Sequence, residues 1–375
     1  MNAPNPSPLA ELRAGLLAAT IEREREVDAL LLAAVAREHV LLVGPPGTAK
    51  SYLCRLLAGG IGGARYCERL LSPTTAPETL WGPVSLAALR EDRYVHVTAG
   101  YAADAHVLYL DEVGRASPAI LDTLLHLLGP ERQALIGTEQ VAAPLVSAIG
   151  SANTWPEDAA MLDRWLLRVH VRPVSPSGRT ALLWAELPDV APTVTLGDLA
   201  TAHVASLALP VSDAARVALS DILDALAEHG IRPSDRRCRA AVRVARAAAV
   251  LAGAPEVAPA HLEALGMVLW NDPEHAETAE STVTAVANPT GAKLAELLRE
   301  TDDAISAAGS TPDGRLGAIS RLADILKAAE KVAADPAANG RAAKTLAYIR
   351  REHVRLQAAA LGISPERAAE LLGAM

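Results

Sequence analysis

Lys50 and Ser51 close the stretch Gly44-Pro45-Pro46-Gly47-Thr48-Ala49-Lys50-Ser51, and Asp111-Glu112 closes a later apolar run, Val107-Leu108-Tyr109-Leu110. A glycine-rich turn ending in Lys-Ser is built to hold phosphate. Backbone N–H groups from Gly47 to Ser51 point at a β-phosphate from a helix N-terminus. Lys50 neutralises the β- and γ-phosphates, and the Ser51 hydroxyl ligates Mg²⁺. The nucleotide-binding stretch is read as Gly44, Pro45, Pro46, Gly47, Thr48, Ala49, Lys50, Ser51 and Tyr52. It departs from the usual pattern at Ala49, where glycine normally precedes the lysine. The reading requires Ala49 to adopt a helical first-turn conformation. Adjacent carboxylates at the end of a buried strand are costly unless they serve a cation and water. Asp111 then supports Mg²⁺ through its water shell, and Glu112 polarises the attacking water. The chemistry is hydrolysis of ATP to ADP and phosphate.

Asn153 follows a third apolar run, Leu145 to Gly150, and an amide at that tip holds the same water or the γ-phosphate. Its plainer use is a turn beside Thr154-Trp155-Pro156. Arg164, or Arg168 one helical turn on, is placed to reach a neighbouring subunit's γ-phosphate. Ser234-Asp235-Arg236-Arg237 opens a helix with Ser234 or Asp235 as N-cap, and Arg236 or Arg237 is a candidate to reach the γ-phosphate from a lid. Helical spacing also puts Arg236, Arg239 and Arg243 on one face, which would suit nucleic acid.

The elements that must position these groups are legible from periodicity. Val40 to Val43 reads as a buried strand, followed by the loop and a helix from Ser51 to Leu57. Tyr66–Leu71, Val107–Leu110, Leu145–Gly150 and Val169–Val174 read as further strands, with a helix over Ser117–Leu128. Residues 72–104 are richer in Pro, Gly and Thr and read as an insertion with short strands, on the alternation Tyr94-Val95-His96-Val97. Strands alternating with helices imply an α/β layer with a mostly parallel sheet. Leu9 to Ala36 is helical in pattern. Residues 1–8 read as a disordered Pro-rich tail. Beyond residue 178 strand signals stop. A later apolar stripe comprises Leu316, Ile319, Leu322, Ile325, Leu326 and Ala329, and Pro336 to Gly340 breaks it from a second one at Leu346, Ile349 and Leu356.

Composition narrows the function classes. The chain has 375 residues, half of them hydrophobic, and a net charge of −9. The acidic balance argues against nucleic acid as the main partner. Cys54, Cys67 and Cys238 show no paired metal spacing and read as reduced thiols. No apolar run spans a membrane and no leader pattern opens the chain, so the expected compartment is the cytoplasm.

With these residues in place, the chain resembles the MoxR family of AAA+ ATPases, and within it the RavA branch. The resemblance rests on Gly44–Ser51, Thr79-Leu80-Trp81-Gly82-Pro83-Val84-Ser85-Leu86, Thr98-Ala99-Gly100-Tyr101, Leu110-Asp111-Glu112, Pro118-Ala119-Ile120-Leu121, Pro130-Glu131-Arg132-Gln133, Asn153 with Pro156-Glu157, Asp163-Arg164 with Arg168, and Ser234 to Arg237. It implies a three-layer αβα P-loop core with a mostly parallel sheet (residues 9–178, with 72–104 as a helix-2-type insert), an all-α lid (179–275) and a C-terminal helical hairpin or bundle (276–375). It implies Lys50 as Walker A, Asp111 and Glu112 as Walker B, Asn153 as sensor 1, Arg164 as arginine finger and Arg236 or Arg237 as sensor 2. It also implies a hairpin within residues 131–144, a hexameric ring, and a von Willebrand factor A partner with a client protein to be remodelled or assembled with metal. The competing readings are a nucleic-acid-directed motor and a nucleotide-dependent scaffold.

Overall fold

In the computed structural model, which describes residues 7–136, 139–309, 312–334, 340–361, 363, 364 and 367, the chain divides into two compact units, Met1–Glu280 and Ser281–Met375. The proposed tail therefore falls mostly outside the described residues, as does most of the Pro336–Gly340 break.

The first unit holds a five-stranded, wholly parallel sheet. Its strands are β1 (Val40–Val43), β3 (Tyr66–Leu70), β4 (Val107–Asp111), β7 (Ser147–Ala152) and β8 (Leu167–His170), in the order β3-β4-β7-β1-β8. Strand β2 (Ile61–Gly62) pairs with β9 (Val194–Thr195), and β5 (Gln133–Ile136) pairs antiparallel with β6 (Glu139–Ala142). Parallel strands covered on both faces read as continuous apolar runs, and β1 is buried throughout. Leu41, Val43, Leu108 and Leu110 pack with Ile120, Leu124 and Leu127 of α6 (Pro118–Leu127). On the other face lie α2 (Glu24–Ala36) and α3 (Lys50–Gly59). The result is a three-layer α/β core.

Several boundaries depart from the sequence reading, each for a local reason. Pro8 belongs to α1 (Pro8–Ala18), because Ser7 caps its first turn. The helical pattern over 9–36 splits before α2, where Glu22 takes a positive φ of 54°. The 72–104 insertion forms two short helices, α4 (Pro77–Trp81) and α5 (Leu86–Leu89), with a single antiparallel bridge from Val84 to His96. Tyr94, Val95 and Val97 are exposed, so alternation there has no second strand to serve. Arg69 pins the segment, donating to Thr79 O (2.8 Å) and Gly100 O (3.2 Å) with its guanidinium 5.0 Å from the Tyr101 ring centroid. Strand β9 lies beyond residue 178, too short for periodicity to reveal.

After α7 (Ala159–Arg164) and α8 (Pro176–Trp184), the unit becomes helical: α9 (Leu196–Ala208), α10 (Asp213–Glu228) and α11 (Asp235–Leu251). The buried stripe Ala240, Ala241, Val244, Ala245 of α11 faces α2 and α9. Next comes α12 (Ala276–Ala287). The second unit is helical, with α13 (Pro289–Ala308), α14 (Pro312–Ala333) and α15 (Gly340–Leu361) around Leu297, Ala304, Leu322, Ala329 and Ile349. Leu316, assigned to the α14 stripe on periodicity, is 61% exposed, because it lies on the first turns of α14 outside that core. Among the described residues no helix is long and apolar enough to cross a membrane.

Two glycines mark where backbone passes too close for a side chain. A Cβ on Gly44 would lie 2.1 Å from Val171 O, and one on Gly150 would lie 2.8 Å from the Trp165 ring. Gly150→Ala should destabilise the protein by about 1–3 kcal/mol through overpacking, measured as a lower urea midpoint with an unchanged slope.

Candidate functional site

The phosphate-type loop begins where the β1 ladder ends. Gly44 N–H donates to Ala152 O at 3.1 Å, so the loop leaves level with the tip of β7. Thr48 Oγ1 donates back to Pro45 O at 2.9 Å and closes the turn. Gly47 (φ 79°) and Ala49 (φ 66°) are both left-handed. This corrects the helical conformation expected of Ala49, and α3 starts at Lys50 rather than Ser51. The turn demands at position 49 what glycine supplies freely, and an L-residue there costs roughly 1–2 kcal/mol. Leu53 N–H is bonded to Ala49 O. The N–H groups of Lys50, Ser51 and Tyr52 head the helix, where intrahelical acceptors run out. Tyr52 Oη lies 3.5 Å from Ala19 O, tying α3 to the segment after α1.

Lys50 is only 8% exposed. Its ammonium donates to Gly44 O (2.8 Å) and Pro45 O (3.0 Å). Burial pulls its pKa below the ordinary lysine value, and the charges of Asp111 and Glu112 pull it back up. The three groups therefore share one electrostatic site, formed by the tip of β4 and the start of α3.

Asp111 ends β4. Its Oδ1 accepts from Glu112 N–H at 3.1 Å and from the Ser151 hydroxyl, and Tyr109 Oη stands 3.1 Å away. Glu112 is left-handed (φ 57°), which turns the chain sharply off the strand. Its Oε1 accepts from Asn153 Nδ2 at 2.6 Å. Glu112 and Asn153 line a cleft of about 430 Å³ with Arg115, Trp155, Glu157 and Asp158. The sequence reading missed Ser151 and Tyr109. Their signal was a hydroxyl near the end of each of two largely apolar strands.

The four arginines separate into two kinds. Arg168 is buried, with Nε donating to Trp165 O (3.0 Å), Nη1 to Trp270 O (2.9 Å) and Asn271 O (3.1 Å), and Nη2 to Leu162 O (3.0 Å). Its guanidinium also covers the Trp270 ring. Arg237 is equally buried, donating to Val268 O (2.8 Å), Leu166 O (3.2 Å) and Trp165 O (3.1 Å), with Nε 3.2 Å from Asp163 Oδ1. Burial lowers its pKa to about 10. Both are internal staples. The sequence marks both as candidates to reach a γ-phosphate; in the folded chain their guanidiniums are held by its own carbonyls.

Arg164 and Arg236 remain partly exposed. Arg236 Nη1 lies 3.4 Å from Asp163 Oδ2. Among the described residues Arg164 makes no hydrogen bond or ion pair. Burial lowers its pKa, and the charge of Arg236 lowers it further. Both fields reach His39, which immediately precedes β1, whereas Lys50 lies beyond the other end of that strand. At about 3.3 Å per residue the strand separates the two ends by roughly 10 Å. Arg236 sits beside Asp163, the residue that immediately precedes Arg164.

His39 is buried, its Nδ1 accepting from Ala148 N–H at 3.0 Å. Burial first, then Arg132, Arg236 and Arg164, hold its pKa well below the usual value of 6.5. The unfolded chain takes up that proton near pH 6.5 and the folded chain does not. The associated stability is complete above that pH and is lost as pH falls below it. Unfolding free energy should therefore drop between about pH 7 and pH 5, by up to about 1.4 kcal/mol per pH unit. In His39→Asn the slope in denaturation midpoints should flatten.

Comparison with known proteins is consistent with this geometry. A family model described as the MoxR domain in MoxR-vWA-beta-propeller ternary systems matches residues 8–209, and an AAA lid domain model matches residues 217–283. An uncharacterised protein of Methanocaldococcus jannaschii is 33% identical over 277 residues, covering 71% of this chain and 72% of that protein. A protein named MoxR from Paracoccus denitrificans is 28% identical over 183 residues, 46% of this chain and 52% of its own length. A Mycobacterium tuberculosis protein named as a MoxR chaperone is 26% identical over 189 residues, 48% of this chain and 49% of its own length. The crystal structure of a candidate ATPase from Cytophaga hutchinsonii superposes with a TM-score of 0.61 at 17% identity, over 74% of this chain and 93% of that one, and so shares the fold.

Proposed function

This chain belongs to the MoxR family of AAA+ proteins, and from that premise we propose that it is an ATP-hydrolysing, chaperone-like motor whose active site is completed by a second copy. The observation that carries the reading is the meeting of Lys50, Asp111, Glu112 and Asn153 at adjacent parallel strand tips, with Glu112 already hydrogen-bonded to Asn153. In open α/β sheets that edge is where ligands bind.

The roles follow from the contacts. Lys50 exchanges two carbonyl acceptors for the β- and γ-phosphates, a full negative charge in place of dipoles. The N–H groups from Gly47 to Tyr52 take the remaining phosphate oxygens. Asp111 Oδ2 and Ser51 Oγ make no hydrogen bond among the described residues, so both suit a hard cation. Magnesium held there would neutralise phosphate charge. Glu112 accepts the proton of the attacking water, and the Asn153 amide keeps its carboxylate at a fixed height above the strand. Arg164, on the far end of the core and without a side-chain acceptor among the described residues, supplies positive charge to a neighbour's γ-phosphate. Arg236 beside it belongs to the same face. A closed homo-oligomeric ring, six subunits in the family pattern, gives every site one such neighbour. The family model's description, which names MoxR-vWA ternary systems, supports a von Willebrand factor A partner; remodelling or metal-dependent assembly of a client is the output we propose for the pair.

Glu112→Gln should retain ATP binding while turnover falls by about 100-fold or more. Normal hydrolysis in that variant removes Glu112 from the reaction.

Arg164→Ala should lose about 1,000-fold in turnover with unchanged nucleotide affinity. Mixed with Lys50→Ala, itself inactive, it should recover hydrolysis, because hybrid neighbours rebuild an intact site. Two inactive variants that stay inactive on mixing would place Arg164 outside the reaction in trans.

A further inference from the structure

We propose that Tyr109 and Ser151 are positioning residues for Asp111, a buried hydroxyl relay that fixes the carboxylate in the orientation the metal–triphosphate complex requires. The inference rests on the reading of Asp111 given above. It begins with sheet register. Tyr109 pairs with Ile149 and Leu110 with Gly150, so the next cross-strand neighbours are Asp111 and Ser151. Side chains alternate along a strand, so Tyr109 shares the face of Asp111.

On that face the hydroxyls form a chain. Tyr109 Oη donates to Ser151 Oγ at 2.9 Å, and the Ser151 hydroxyl donates to Asp111 Oδ1. Tyr109 is 1% exposed and Ser151 is fully buried. Two hydroxyls inside a parallel sheet cost free energy that apolar residues of similar size would not. Their chain ends on Asp111, and nowhere else.

The relay is one-sided. Oδ1 faces the Ser151 hydroxyl, the Glu112 N–H and Tyr109 Oη, while Oδ2 accepts no hydrogen bond among the described residues. The first oxygen anchors the group and the second is left for ligand. Outer partners of this kind set the orientation of a metal-site carboxylate, and their loss costs metal affinity rather than fold.

The test separates metal affinity from nucleotide affinity. A fluorescent ATP analogue is titrated onto the full chain in EDTA, and then Mg²⁺ is titrated at fixed analogue. Ser151→Ala should bind the analogue without metal as the wild type does, within about twofold, while the Mg²⁺ midpoint rises about tenfold. Tyr109→Phe should shift the midpoint the same way by a smaller factor, because the Ser151 bond to Asp111 survives. Ser151→Thr should keep the midpoint close to wild type by retaining the hydroxyl. If thermal melts show folded variants and the Mg²⁺ midpoints match wild type, the relay does not position Asp111. If Ser151→Ala fails to fold, Tyr109→Phe, which loses a single oxygen, decides the matter alone. A wild-type chain whose analogue binding ignores Mg²⁺ overturns the reading of Asp111 and the relay with it, a result distinct from unshifted variants.

Discussion

A nearly buried ammonium ion that makes no ion pair among the described residues governs this site. Lys50 gives up water for the carbonyls of Gly44 and Pro45, and the fields of Asp111 and Glu112 offset part of the cost. Desolvating a cation against dipoles alone is unfavourable unless the surroundings are fixed in advance. The fixing is done by β1. Its apolar run is buried, Gly44 N–H reaches Ala152 O on one side, and Val171 N–H reaches Val43 O on the other. The loop has little freedom to relax away from the lysine. An anionic ligand therefore meets a cation already stripped of water and aimed from a helix start.

The same problem is solved differently at the opposite end of the sheet. Arg168 and Arg237 are buried cations enclosed mainly by carbonyls from residues 162–166 and 268–271. Those segments come from the α/β core and from the chain after α11, so the two guanidiniums join them with charge-assisted bonds. Because these arginines are consumed internally, Arg164 and Arg236 are the ones left partly exposed beside Asp163. Their mutual repulsion makes an external anion the natural way to relax that face. One arginine pair builds the body of the first unit, and the other is available outside it.

Periodicity made the sheet legible because parallel strands must be apolar on both faces. Val40–Val43 and Val107–Leu110 could hardly be read otherwise. The phosphate-type loop and the acidic tip were legible for a related reason: polar residues at the ends of such runs have few structural uses. Short-range pattern failed where burial was decided by distant chain. Arg168 differs from Arg164 in the carbonyls that enclose it, and those of Trp270 and Asn271 come from a stretch of chain about a hundred residues away. The alternation at Tyr94–Val97 promised strands that a missing partner did not allow. Ser151 and Tyr109 were invisible as a pair, since register joins residues that sequence holds apart.

Of the six non-glycine residues with positive φ among the described residues, two border the reacting groups. Ala49 immediately precedes Lys50, and Glu112 immediately follows Asp111; each is an L-residue in the left-handed region. Such residues persist only where surroundings over-determine them. At Glu112 the surroundings are its N–H bond to Asp111 Oδ1 and the Asn153 amide on Oε1. At Ala49 they are the start of α3 and the turn closed by Thr48. A glycine at position 49 would adopt the same φ without the Cβ cost. With alanine there, the left-handed turn is held by the contacts around it rather than by the residue's own preference, so the departure from the usual loop pattern lowers folded-state stability and makes the loop depend on the start of α3 and on Thr48.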